Sequence, residues 1–232
     1  MIRTCLRLLM VTLLSLSIAA PSLAQTAPSP GEVTAYTGLH AAVVKGNAAE
    51  IERLIRSGVD LNSRDGNGRT PLMVAAHRRD LEAAILLVKA GADLNALDHD
   101  RYDVLTISGV LDDEAMVALA LYHGADAKLI TSPYDGSALI ATAHLGHDGV
   151  VRALIKAGAA LDHINNLNWT ALIEAIVLGN GGPRHQACVR ALVGAGADVN
   201  LADGHGVRPL SLARRHGYKQ IIEILEAAGA KP

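Results

Sequence analysis

A repeat of about 33 residues constrains this chain more than any other feature. Leucines that can begin a helix recur with steps of 33, 33, 34, 33 and 38 residues, at Leu39, Leu72, Leu105, Leu139, Leu172 and Leu210. Glycines recur in phase at Gly58, Gly91, Gly124, Gly158, Gly196 and Gly229, each 19 residues after its leucine except Gly196, which lies 24 after. Such a chain grows by adding similar units rather than by enlarging one core.

Each unit is predicted to be a pair of helices. Residues that can cap a helix stand two positions before five of the leucines, at Thr37, Thr70, Asp103, Ser137 and Thr170. Pro71 and Pro209 occupy the first helical turn, which tolerates proline. A second helix, with apolar residues at helical spacing such as Ile51, Leu54 and Ile55, ends at the recurring glycine, which permits a left-handed exit. Only stacking on a neighbour can bury the apolar faces of one pair.

The segment Thr70–Ala76, with Gly-Ala-Asp at 91–93, 124–126 and 196–198 and Asn at 62, 95 and 200, resembles the ankyrin repeat family over about residues 36–230. The resemblance implies an all-α solenoid of stacked helix-turn-helix units with projecting β-hairpin-like loops. It implies six repeats at about 36–65, 66–98, 99–131, 132–164, 165–202 and 203–230. It also implies a protein partner held on a concave face made of hairpin tips and first helices.

The N-terminal residues are typical of an export signal. Arg3 and Arg7 precede an apolar run from Leu8 to Ile18, and small residues stand at Ser22 and Ala24. This predicts a Sec-type signal peptide at 1–24, cleaved after Ala24, and a periplasmic or secreted protein. Because the run is shorter than the roughly 20 residues that cross a bilayer, no membrane insertion is expected after cleavage. Residues 25–35, rich in Pro, Ser, Thr and Ala, are predicted to be a flexible linker.

The composition limits the class of partner and the residue types that can form the core. The formal charge is −2, and loss of Arg3 and Arg7 with the leader leaves 19 basic against 23 acidic residues, which argues against a nucleic-acid partner. Half of the residues are hydrophobic but Phe is absent, so Ala, Leu, Ile and Val must form the core. Once Cys5 leaves with the leader, Cys188 is the sole cysteine and is predicted to be a small core residue.

The concave face of the family, transferred position by position, gives a candidate partner surface. It comprises Arg69, His77, Arg78, His99, Tyr102, Tyr134, His144, Leu167 and Trp169, with Arg184 and His185 added from an insertion. Aromatic residues, the usual anchors of interfaces, gather toward the middle of the array. For Trp169 two interpretations stay open, namely a partner anchor or packing over the base of its hairpin.

The fifth unit contains the insertion, which makes it five residues longer than its neighbours. Gly181-Gly182-Pro183 cannot continue a helix, so the segment from Leu178 to His185 is predicted to protrude, with Arg184 and His185 near the start of the next helix. We interpret the loop as a shape feature for a partner. Anion or substrate binding is the alternative, although the Gly-Lys-Ser/Thr ending of a phosphate-binding loop is missing.

Neither metal nor catalysis is expected from the motifs. The chain has ten histidines, including His144 and His147, but their spacing does not suit the three or four converging ligands of a zinc site. His40 stands at the structural histidine position of the family and is expected to form a core hydrogen bond. No Gly-x-Ser-x-Gly motif is present, and the acidic residues recur with the repeat. The sequence therefore predicts a non-enzymatic protein that binds another protein, has no cofactor and acts as a monomer.

The resemblance also suggests a pathway. Exported bacterial ankyrin proteins similar to this one are linked to oxidative-stress defence beside catalases, which gives one hypothesis. An immunity or inhibitor protein against a toxin or hydrolase is a second, and it requires very tight binding. A secreted effector that binds a host protein is a third, and it requires passage beyond the periplasm.

Overall fold

The computed structural model of the protein describes residues 26–232. The predicted signal peptide and its cleavage after Ala24 lie outside the described residues. Helix α1 (Pro30–Ala35) comes first and is followed by six helix pairs within the described part of the chain. None of the helices in residues 26–232 is long and apolar enough to cross a membrane.

The six helix pairs define units one to six. They are α2 (Gly38–Val44) with α3 (Ala48–Arg56), α4 (Pro71–His77) with α5 (Leu81–Lys89), α6 (Val104–Val110) with α7 (Glu114–Tyr122), α8 (Ala138–Leu145) with α9 (Asp148–Lys156), α10 (Ala171–Val177) with α11 (Pro183–Gly194), and α12 (Pro209–His216) with α13 (Lys219–Ala227). First helices pack on first helices in chain order, and second helices form a parallel row. This arrangement confirms the predicted solenoid of stacked helix-turn-helix units.

The predicted helix ends are formed by the expected side chains. Thr70, Asp103, Ser137 and Thr170 each accept a hydrogen bond from the backbone N–H of the third helical residue. Thr37 makes no such bond within the described residues, so the cap predicted there is wrong. The recurring glycines after the second helices all adopt left-handed backbone, with φ between +78° at Gly58 and +97° at Gly124 and Gly196. Helix exits therefore follow the glycine pattern.

Small residues let the units approach closely. Ala75, Ala76 and Ala143 are completely buried between neighbouring helices. Cys188 is also completely buried, and this burial raises the pKa of its thiol to about 12, which confirms a core position. The buried His40 Nε2 lies 2.9 Å from the carbonyl oxygen of Arg69, so the expected core hydrogen bond is confirmed.

The structure differs from the predicted linker at residues 30–35. The region 25–35 was expected to be a flexible linker, yet Pro30–Ala35 is helical. Ser29 and Glu32 form a capping box, in which each side chain accepts from the backbone N–H of the other. Glu32 also pairs with Arg69 of unit two. The predicted linker is therefore wrong for these residues, because a local cap and a tertiary ion pair hold them.

The projecting loops are linked to one another. In unit four the loop contains a short antiparallel ladder of β1 (Ile130–Thr131) and β2 (Gly136–Ser137), with Ile130 opposite Ser137. Side-chain oxygens of one loop accept the backbone N–H of the next at 2.7–2.9 Å, in the pairs Asn62 with Asp93, Asn95 with Asp126, Asp162 with Asp198, and Asn200 with Lys231. Lys128 stands at the equivalent position of unit three and cannot accept a hydrogen bond.

Replacing Lys128 with Asn is expected to complete this series. The backbone N–H of Lys128 bonds to the carboxylate of Asp126 at 2.9 Å, as that of Asn95 does to Asp93. The turn at Lys128 therefore already has the conformation from which an Asn side chain accepts the bond from the next loop. Lys128→Asn should raise the free energy of unfolding by about 0.5–1.5 kcal/mol, the net worth of one hydrogen bond. Asn95→Lys, the converse change, should lower it by a similar amount. Urea unfolding measures both, and a less stable Lys128→Asn variant would contradict the argument.

Candidate functional site

Units four and five expose apolar side chains on the face formed by loop tips and first helices. Tyr134 and Leu167 lie in neighbouring loops, and Leu145 and Leu178 lie at the ends of the neighbouring helices α8 and α10. Between 40% and 47% of each of these four side chains is exposed. The half-buried Trp169 packs against the core in the loop of unit five. We call these five residues the central patch.

Hydrogen bonds between loops fix the geometry of the central patch. The backbone N–H of Asn166 donates to the carbonyl of Tyr134 at 2.9 Å, and its side-chain amide donates to the carbonyl of Pro133 at 3.3 Å. Asn165 accepts the backbone N–H groups of Leu167 and Trp169, both at 3.0 Å. The patch is therefore a preformed surface, which lowers the entropic cost of binding.

The structure places Arg69 differently from the prediction. Its side chain is buried, and its guanidinium donates to Asp65 at 2.7 Å, to Glu32, and to the carbonyl of Thr26 at 3.0 Å. Burial alone would raise the pKa of Asp65, but hydrogen bonds from Tyr36 and Arg69 outweigh it and lower this pKa to about 2. Arg69 therefore joins the N-terminal segment to unit two, and it offers no exposed surface to a partner.

Tyr102 and His185 are also buried, each with 8% of its surface exposed. His185 Nε2 donates to the carbonyl of His144 at 2.8 Å, and its Nδ1 lies 3.0 Å from the Asn180 side chain. The insertion is held from the other side as well, because the Tyr218 hydroxyl donates to the carbonyl of Gly179 at 2.8 Å. The expectation of a freely protruding loop is therefore corrected, since this loop packs between units four and six.

Arg184 lies at the second position of α11, as the sequence predicts, but its charge is engaged. Two of its guanidinium nitrogens bind Asp112 at 2.8 and 3.0 Å, and its Nε binds Asp148 at 3.1 Å. Hydrogen bonds from Arg184 lower the pKa of Asp112, and those from Arg152 and Arg184 overcome burial to lower the pKa of Asp148. Arg184 thus ties unit five to units three and four while half of its side chain stays exposed.

The remaining predicted residues lie on units two to four. Arg78 and His99 are exposed, whereas His77 and His144 are half-buried. Burial lowers the pKa of His77 to about 4, and burial together with His185 lowers that of His144. Both rings are therefore neutral at pH 7 and add hydrogen-bonding surface rather than positive charge.

Sequence reasoning missed Glu174, which lies on α10 between Trp169 and Leu178 in the chain. Only 4% of it is exposed, and its Oε1 accepts a 2.9 Å hydrogen bond from the Asn165 amide. Its Oε2 finds no hydrogen-bond partner among residues 26–232, and the nearest imidazole nitrogen, His144 Nδ1, lies 3.5 Å away. Burial raises the pKa of Glu174 from 4.5 to about 7. The sequence did contain a signal, because Glu174 is the one charged residue at a position that is apolar in the other five units. The equivalent residues are Ala41, Val74, Ile107, Ala141 and Leu212.

The chemistry of this face is that of recognition. It combines aromatic and aliphatic surface with one buried carboxyl group and two neutral imidazoles. Within residues 26–232, no three His, Cys, Asp or Glu side chains are arranged to hold a metal ion.

Glu174 should make stability fall as pH rises. The unfolded chain loses the proton near pH 4.5 and the folded chain near pH 7, so the folded state binds more protons between these values and stability declines there. Glu174→Gln, which keeps an acceptor for Asn165 but stays neutral, should be more stable than the parent by roughly 1–3 kcal/mol at pH 8 and about equal at pH 4.5. Urea unfolding at both values tests this, with the exposed Glu223→Gln as the control. A less stable Gln variant at pH 8 would show that the carboxylate is compensated.

Comparisons with known proteins agree with this architecture. The family model described as ankyrin repeats (3 copies) matches residues 8–98 and 108–203. The chain is 33% identical over 190 residues to the ankyrin repeat protein YahD of Escherichia coli K12, covering 82% of this chain and 94% of that one. It is also similar to the crystal structure of an ankyrin repeat domain from Acinetobacter baumannii, with 42% identity, a TM-score of 0.80, and coverage of 83% and 98% of the two chains. The ankyrin repeat protein EF0377 has 30% identity, a TM-score of 0.77, and coverage of 82% and 98%. The chain belongs to the ankyrin repeat family, whose repeats mediate protein–protein interaction.

Proposed function

We propose that this protein is an exported, non-enzymatic binder that holds another protein against the central patch. The observation that carries the proposal is that units four and five hold four apolar side chains, each at least 40% exposed, together with the half-buried Trp169, at loop tips and at the ends of first helices. Contiguous exposed apolar surface on a soluble domain marks an interaction site more often than chance. Tyr and Trp also contribute disproportionately to binding energy.

The neighbouring units support a partner that lies along the array. Arg78 on unit two and His99 on unit three extend the same face with polar, exposed side chains. An apolar centre with a polar rim is the usual organisation of a protein interface. We infer that the partner covers units two to five and that a monomer of this protein binds it.

Export is the second part of the proposal. It is supported by the basic, apolar and small-residue segments of residues 1–24. In a periplasmic or secreted setting, three partners fit the hypotheses drawn from the sequence. They are a component of oxidative-stress defence such as a catalase, a toxin or hydrolase that is inhibited, or a host protein bound by an effector.

Substitution of the central patch should abolish partner capture. Leu178→Asp and Trp169→Ala are each expected to weaken retention of the partner from a periplasmic extract by at least about tenfold, since interface anchors contribute 1.4 kcal/mol or more. Tyr122→Ala is the matched control, because this tyrosine is 85% exposed on the second-helix row. Mass spectrometry of the captured material identifies the partner and separates the three hypotheses. Equal capture by all variants, with circular dichroism unchanged, would refute the central patch as the interface.

Cell fractionation tests the export proposal separately. The protein should be found outside the cytoplasm with Gln25 as its first residue, because the small residues Ser22 and Ala24 suit signal-peptide cleavage. Mass spectrometry of the intact protein measures the cleavage point. Replacing both Ser22 and Ala24 with bulky residues should leave the leader attached. A full-length chain that stays in the cytoplasm would contradict export.

A further inference from the structure

The buried position of the Glu174 carboxyl group lowers the stability of the fold. Burial of an ionisable group without full compensation is unfavourable, and the other five units place apolar residues at this position. Packing therefore does not require a carboxyl group here. A buried polar atom without a hydrogen-bond partner calls for an explanation other than packing.

The orientation of the carboxyl group is fixed. Asn165 donates to Oε1, and Asn165 is itself held by the backbone N–H groups of Leu167 and Trp169. This leaves Oε2 on the side of His144, whose Nδ1 lies 3.5 Å away. The His144 side chain is 36% exposed, so its ring reaches from the buried carboxyl group to the groove surface.

Basic side chains of units three and five bond to other groups. Arg184 pairs with Asp112 and Asp148, and His185 bonds to the carbonyl of His144 and to Asn180. Arg101 pairs with Asp135 at 2.8 Å. None of these side chains bonds to Glu174, so a cation from a bound protein would not compete with them for Oε2.

We propose that Glu174 Oε2 is the acceptor for a lysine or arginine side chain of the bound protein, and that His144 turns aside to admit it. This inference rests on the proposed function and names a chemical requirement of the partner. Leu145 follows His144 directly in the chain, and Leu178 lies one helical turn after Glu174, where its backbone N–H donates to the Glu174 carbonyl. These two exposed leucines would cover the aliphatic stem of the incoming side chain. Trp169 adds an aromatic ring that attracts a cation. A charge-assisted hydrogen bond in this sheltered position would give specificity for a basic residue.

Capped tripeptides test the proposal directly. The probes are acetyl-Leu-Arg-Leu-amide and acetyl-Leu-citrulline-Leu-amide, which have the same shape but differ in charge. Trp169 is the only tryptophan in the chain, so its fluorescence reports on this site alone. At pH 8, where Glu174 is mostly ionised, the arginine peptide should bind at least about tenfold more tightly than the citrulline peptide.

Variants assign the effect to the proposed atoms. Glu174→Gln should remove the preference for arginine, whereas Asp135→Asn, which changes an exposed carboxylate of the neighbouring loop, should keep it within about twofold. His144→Ala should bind the arginine peptide at least as tightly as the parent, because the ring is a gate and not a ligand. Equal binding of both peptides, no binding of either, or an unchanged preference in Glu174→Gln would overturn the cation site.

Failure of this inference can be told apart from failure of the proposed function. If Leu178→Asp abolishes partner capture while the peptides show no charge preference, the patch binds a partner without using Glu174. If the charge preference is present but capture is unaffected by Leu178→Asp, the cation site exists and the interface lies elsewhere.

Discussion

The whole structure depends on the contact between one helix pair and the next. Each pair has an apolar face that it cannot bury alone, and completely buried alanines such as Ala75 and Ala143 allow the neighbour to approach closely. The loops add hydrogen bonds from unit to unit, and Arg184 reaches across two interfaces to Asp112. Because the helices of each unit pack mainly on those of its neighbours, any side chain that serves binding must be tolerated by the adjacent interface. The four exposed residues of the central patch meet this condition by lying at loop tips and helix ends.

The architecture could be predicted from the sequence because it depends on local signals that recur. Leucine spacing, caps such as Thr70 and Asp103, and glycines with left-handed backbone together place the helix boundaries. These features act within a few residues of the chain, so their spacing alone reveals them. The helix at Pro30–Ala35 escaped prediction because its stability comes partly from an ion pair with Arg69, which lies 37 residues further along.

The candidate site was harder to predict because exposure depends on tertiary contacts. Arg69, Tyr102 and Trp169 occupy equivalent positions in three repeats, yet the first two are buried and only the third stays half-exposed. Arg69 is covered by the N-terminal segment, and no rule based on repeat position could reveal that cover. Glu174 shows the opposite failure, because its position suggests an ordinary core residue and only its chemical type departs from the other units.

The insertion in unit five connects these observations. Its five additional residues do not form a free loop but bring His185 under the carbonyl of His144 and Arg184 onto Asp112 and Asp148. Gly179 and Gly181 permit this path, since a Cβ atom would lie 2.1 Å from the Ala175 carbonyl oxygen at the first and 2.3 Å from the Tyr218 ring at the second. The insertion therefore fixes the backbone that carries His144 relative to α10, which carries Glu174. Units four and five are thus held more firmly than stacking alone would achieve, at the place where the buried carboxyl group of Glu174 lies. The insertion thus stabilises the backbone next to a buried carboxyl group that itself lowers stability. This combination is expected where a repeat keeps a residue for the geometry of a binding site and not for stability.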